Sequence, residues 1–163
     1  MAKFDFMTAT KAELDKHIED KEKSNEKITE FFSKEREEWS KQLLPLYKTL
    51  SYRDMNKIAD LQAETLSLRH RIQDKISEYM SSLSKQSSYY KKSWADKIQY
   101  YHTGFGIKLS STEKKEFVNR DLREDKVGLE LMETHIEFLR ECRYSCDQIQ
   151  YAVKNLIGLM AYV

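Results

Sequence analysis

Residues 61–101 read LQAETLSLRHRIQDKISEYMSSLSKQSSYYKKSWADKIQYY, and they decide the fold. Leu61, Leu68, Ile72, Ile76, Tyr79, Leu83, Tyr90, Trp94, Ile98 and Tyr101 step by three, four or seven. Apolar residues at that spacing lie on one side of a 3.6-residue helix. No glycine or proline interrupts them. Upstream, Ser51 stands three before Asp54, the spacing of a capping box, so the helix is expected over about 52–102. At 1.5 Å per residue it is about 75 Å long, more than a chain of this size can cover by itself.

Outward from this stretch the composition stays helical. The 163 residues hold four glycines and one proline, 34% are charged and 40% are apolar. That is poor in turns and rich in helix formers, so the expected fold is all-α: long helices in an extended hairpin or bundle, assembled as a homo-oligomer. Before the long helix, residues 8–44 alternate Lys and Glu, with Thr8 or Thr10 as N-cap. Leu14, Ile18, Ile28, Phe32, Trp39 and Leu43 make only a thin stripe, and residues 20–27 offer almost nothing to bury. The reading is a charged arm, residues 1–45, that projects and is ended by Pro45. Residues 46–163 are then expected to form one helical domain.

A glycine loop over 103–110 follows the long helix. Ser110 and Glu113 form a capping box for a short helix reaching about Asn119, and Asp121 is placed to cap the next. From Leu122 or Val127 the positions Val127, Leu131, His135, Phe138, Cys142, Cys146, Ile149, Val153, Leu156, Ile157 and Met160 make one stripe. The end, NLIGLMAYV, is nearly all apolar and needs burial against another copy, which points to Ile149, Val153, Leu156, Ile157 and Met160 as oligomerisation residues.

Charge is segregated. Residues 1–45 carry 9 Lys/Arg and 11 Asp/Glu, residues 46–108 carry 11 and 6, and residues 109–163 carry 8 and 10. A basic middle between acidic ends marks a localised site, or chains that pair end against middle. Within residues 85–108 five lysines, Lys85, Lys91, Lys92, Lys97 and Lys108, face one acid, Asp96, among Tyr89, Tyr90, Trp94, Tyr100, Tyr101 and Phe105. Cations that follow phosphates and rings that stack on unpaired bases are what a single-strand nucleic-acid surface requires. A packed bundle helix with solubilising lysines has the same composition. At 100° per residue Tyr90, Trp94 and Tyr101 share the stripe of Leu83, while Lys85, Lys92, Tyr89 and Tyr100 lie broadly opposite, with Lys91 and Lys97 on the flanks.

Catalytic patterns are missing. There is no Glu-x-x-His pair, since Ser67 precedes His70 and Met132 precedes His135, and no His-Glu-x-x-His or Walker sequence. His135, Cys142 and Cys146 share a helix face, but core packing suits them better than a metal. No enzyme activity, metal or cofactor is expected. The row Glu130, Glu133, Glu137, Glu141 reads as a solvated face, or as a counter-surface for a basic partner. No apolar run approaches the roughly 20 residues of a membrane span, and the N-terminus lacks a signal-peptide core. Cysteines four apart in a helix suit reduced thiols, which points to the cytoplasm.

From Tyr79 onward the chain resembles the UvsY recombination mediators of T-even-like phages. The resemblance rests on Lys91, Lys92 and Lys97 running into Tyr100-Tyr101 and Gly104, then Ser110 to Glu113, Asp121-Leu122, and a C-terminal helix with an apolar end. Ala95 stands where the family pattern has a second basic residue, and His102-Thr103 separate the tyrosine pair from Gly104. The resemblance implies a ring-forming protein that binds single-stranded DNA. It would help load the phage recombinase onto DNA covered by single-strand binding protein, in the host cytoplasm. It also implies Lys97 as a DNA contact, with Lys91 and Lys92 behind it. The rival expectations are a non-catalytic helical scaffold with coiled-coil contacts and a membrane-surface module with Lys-rich faces.

Overall fold

The computed structural model describes residues 11–50, 54–103 and 109–160. Its elements are four α-helices: α1 (Lys11–Thr49), α2 (Met55–Thr103), α3 (Ser111–Asp121) and α4 (Arg123–Met160). The all-α expectation holds among the described residues, and α2 runs 49 residues without a break through both serine pairs. Those pairs are Ser81-Ser82 and Ser87-Ser88, and the Ser88 hydroxyl donates to the Ser84 carbonyl at 3.0 Å, within the helix. The caps expected from Thr8, Thr10 and Ser51 lie outside the described residues. At the start of α2 it is Asp54 whose carboxylate accepts the Asn56 N–H, at 3.0 Å.

Pro45 does not end the first helix, which continues through it to Thr49. A proline removes one ladder bond, to the Lys41 carbonyl, and crowds that turn. Leu43 and Leu46 on either side are both buried, and their packing holds the helix across the fault. The Thr49 hydroxyl caps the Pro45 carbonyl at 3.0 Å.

Two compact units divide the chain, one of Met1–Glu30 with Ser82–Glu133 and the other of Phe31–Ser81 with Thr134–Val163. In the first unit Tyr101, Val118 and Leu122 form a small core, with Tyr90, Trp94, Ile98, Tyr100, Leu109 and Phe117 packed against it. Here α1 docks by polar contacts. The Asn25 amide donates to the Glu124 carbonyl at 2.9 Å and to its carboxylate at 3.1 Å, and Lys21 pairs with Asp125 at 2.6 Å. Gly128 permits this approach, because a Cβ there would stand 3.1 Å from Asn25 Oδ1. Residues 20–27 therefore do not project, as their lack of apolar residues suggested. They dock through hydrogen bonds instead.

The second unit is a three-helix arrangement. Phe32 meets Tyr79, and Gln42 receives Arg71, so α1 and α2 run antiparallel. His135 meets Tyr79 while Asp147 meets Arg69, so α4 is antiparallel to α2. Phe32, Trp39, Leu43 and Leu46 from α1 are buried with Ile58, Leu61, Leu68, Ile72 and Ile76 from α2. From α4 the core receives Ile136, Leu139, Cys142, Cys146, Ile149 and Val153. Ile149 and Val153, expected to join copies, are 0% exposed inside this core, where they pack within their own chain. Leu156 and Ile157 are half-buried, and the Met160 side chain lies outside the described residues.

Candidate functional site

The capping box of α3 forms as its sequence requires. Ser110 Oγ accepts the Glu113 N–H at 3.2 Å, and the Glu113 carboxylate accepts the Ser110 N–H at 2.7 Å, which holds that carboxyl below its usual range. Starting α3 at this point carries Asp121, its last residue, to the side of α2. Asp121 does not cap α4. Its Oδ2 accepts the Lys97 ammonium at 2.8 Å and the Tyr101 hydroxyl at 2.7 Å, with side-chain exposures of only 3% for Lys97 and 1% for Asp121. Burial, then the bond to Asp121, raises the Tyr101 hydroxyl well above the ordinary phenol range.

The expected DNA-contact residues thus separate. Lys97 is interior, because the wheel drawn from apolar residues alone missed the stripe of Ser93, Lys97 and Tyr101, all three buried. Tyr100 was expected to be free for a ligand. It is half-buried, packs on the core and meets Tyr101 edge-on at 5.2 Å. Tyr89 is half-buried. The loop residues 104–108, including Lys108, lie outside the described residues. Lys85, Lys91 and Lys92 remain exposed.

These three lysines stand on a run, residues 79–95, that contains no carboxylate. None of them makes an ion pair among the described residues. Two turns of helix, about 10 Å, separate Lys85 from Lys92. Such a row can neutralise backbone phosphates without reading bases, and it holds no proton-transfer partner for chemistry.

In the second unit a different polar cluster forms that periodicity placed only as core. The His135 imidazole is fully buried and stacks on Phe32 at 4.0 Å with ring planes 7° apart. Its Nε2 lies 3.0 Å from Glu35 Oε2, which also accepts the Tyr79 hydroxyl at 2.5 Å. The Arg36 Nε–H donates to Nδ1 at 3.4 Å. Burial lowers the His135 pKa against the pull of Glu35, so the ring is neutral at pH 7 with Nε2 as the donor. Desolvation pushes the Cys142 and Cys146 thiols up to about 11. They are inert core groups, and no set of ligands for a metal ion occurs among the described residues. No helix among them is long and apolar enough to cross a membrane.

Sequence reasoning also passed over Tyr144 and Tyr151, which are 63% and 65% exposed on α4. Their signal was available, since both fall opposite the stripe of Cys142, Cys146 and Ile149. Comparison with protein-family models, curated proteins and solved structures finds no match for this chain.

Proposed function

We propose that this protein binds single-stranded DNA through the exposed lysines of α2. On this reading it is a homo-oligomeric accessory factor that helps load a recombinase onto DNA covered by single-strand binding protein, as its resemblance to UvsY-like mediators suggests. One observation carries the reading: Lys85, Lys91 and Lys92 are exposed and make no ion pair among the described residues, on a run of α2, residues 79–95, that holds no carboxylate. Cations so placed are available to phosphates at no cost in broken ion pairs. Several copies in one assembly would raise a weak contact to useful affinity, and Leu156, Ile157 and the 68%-exposed Leu159 are the residues proposed to join them.

The test is anisotropy of a labelled oligo-dT with wild type and Lys85→Ala/Lys91→Ala/Lys92→Ala across a salt series. Three lost phosphate contacts reduce the slope of log K against log salt by about 2 for single strands. A folded wild type that does not bind at low salt ends the proposal.

A second reading is favoured by a separate observation. Lys97 and Tyr100, two of the predicted contacts, are spent on packing, and the large exposed apolar residues Phe31, Leu44, Tyr47, Leu66 and Met80 lie in the second unit. That pattern fits a non-catalytic helical scaffold, which would sediment as a stable assembly and ignore DNA.

A further inference from the structure

Tyr144 and Tyr151 stand seven residues apart, two turns or about 10 Å along α4, and each shows more than three-fifths of its surface to solvent. On the side of this row that meets α2 the structure gathers guanidinium groups. Arg69 Nε pairs with Asp147 Oδ1 at 2.5 Å, and Arg143 donates to Gln73 Oε1 at 2.8 Å. Arg140 holds Glu137 at 3.1 Å and reaches the Met80 sulfur at 4.0 Å. Lys154, three residues past Tyr151, is exposed and makes no ion pair among the described residues. Four cations therefore border the two rings, of which Arg69 and Arg140 are paired with Asp147 and Glu137 and would share their charge with a phosphate, while Arg143 and Lys154 make no ion pair among the described residues. Of the nearby carboxylates Asp147 and Glu137 are already engaged, and Glu141 falls on the opposite flank at 100° per residue.

Arg143 adds a second kind of observation. Its Nε is buried and has no hydrogen-bond partner among the described residues, so the guanidinium beside the tyrosine row is incompletely satisfied. Such a group costs free energy, and an anion held near the guanidinium would offset part of that cost through its charge. The neighbours of the rings along the exposed face are Gln148 and Asn155, whose amides need hydrogen-bonding partners. An apolar partner helix would bury those amides unpaired. A strand of unpaired nucleotides meets every requirement together: phosphates for the guanidiniums, base faces for the rings, base edges for the amides.

We infer that the α2/α4 face of the second unit, formed by Arg69, Arg140, Arg143, Tyr144, Tyr151 and Lys154, is a second binding site for single-stranded DNA, with Tyr144 and Tyr151 as its stacking platform. The inference rests on the proposed reading of the ligand, and adds to it the base-stacking surface that the half-buried Tyr89 and Tyr100 do not supply. It assigns the lysines of α2 to phosphates only, and the tyrosines of α4 to bases.

The experiment uses the full chain and oligo-dT anisotropy, with sedimentation of each variant. Tyr144→Ala/Tyr151→Ala removes side chains that are mostly in solvent, so the fold is retained. At a lower bound of about fivefold for each lost stack, affinity drops by roughly 25-fold or more. Tyr144→Phe/Tyr151→Phe keeps the rings and stays within about twofold of wild type. Arg140→Gln/Lys154→Gln lowers the salt slope by about 1.4, the share of two phosphates. If wild type binds, the α2 lysine variant is weakened and the tyrosine-to-alanine pair is not, this inference falls while the proposed function stands. If wild type does not bind at all, both fall. If the alanine pair instead reduces the sedimenting mass with DNA affinity unchanged, the face joins copies of the chain, and the inference is overturned.

Discussion

Lys97→Met separates folding from DNA contact at the residue where the two readings differ most. The substitution keeps the length of the aliphatic stem and removes the ammonium. It leaves Asp121, 1% exposed, with the Tyr101 hydroxyl on Oδ2 and the solvent-exposed Arg120 at 3.5 Å from Oδ1. Breaking a buried pair by removing one member costs about 3–5 kcal/mol, because the remaining charge stays buried. The residual Tyr101 and Arg120 contacts place the expected loss at the lower end, near 3 kcal/mol. Asp121→Asn leaves the ammonium uncompensated and should cost a similar amount. In Lys97→Met/Asp121→Leu no charge is stranded, so the double variant loses less than the two singles together; what remains is chiefly the Tyr101 hydroxyl without its acceptor, about 1–3 kcal/mol. Urea unfolding followed by circular dichroism measures all three variants. Lys97→Met losing under about 1 kcal/mol while DNA affinity drops would refute the interior role and return Lys97 to the binding surface.

Three further outcomes follow from the geometry. The His135 pKa lies below its unfolded value of 6.5, so the folded state binds fewer protons there. Its stabilisation is therefore complete above pH 6.5 and fades as the pH falls below it. The melting temperature of wild type should drop between pH 7 and 5 more steeply than that of His135→Gln, and equal slopes would show that the ring does not carry the effect. Pro45→Ala restores the ladder bond to Lys41 without touching the core, since Pro45 is exposed, and should stabilise by about 1–3 kcal/mol in urea titration. With thiols raised to about 11 and buried, Cys142 and Cys146 should resist alkylation at pH 8 until denaturant opens the second unit; rapid native labelling of both would contradict their place in the core.

What could be read in advance, and what could not, follows the range of the forces involved. The stripes of α2 and α4 are set by neighbours three and four residues away, and the Ser110–Glu113 box by an exchange over three residues, so both were legible locally. Lys97 was not, because its partner Asp121 lies 24 residues on, in a different helix, and a lysine alone reads as surface. Asn25 meets Glu124 across 99 residues, which is why a stretch without apolar residues looked like a free arm. Pro45 failed in the opposite way: a sound local rule was overridden by the burial of Leu43 and Leu46. Ile149 and Val153 were correctly read as a face that must be covered, but the cover is α1 and α2 of the same chain.

The buried polar pair also bears on the exposed lysines. Apolar contacts such as those of Tyr90, Trp94 and Ile98 are non-directional and tolerate rotation of a helix about its axis. A lysine and a carboxylate at 2.8 Å, both almost fully buried, do not, since turning α2 by one position would strand both charges. Lys97 and Asp121 therefore set the rotation of α2 within the first unit, and that rotation directs Lys85, Lys91 and Lys92 outward. On the proposed reading, the interior lysine contributes to the phosphate surface by orienting it. Loss of the pair should then weaken DNA binding only as far as the helix is free to turn, and Lys97→Met/Asp121→Leu, packed but without a polar key, should retain helicity while losing part of its affinity.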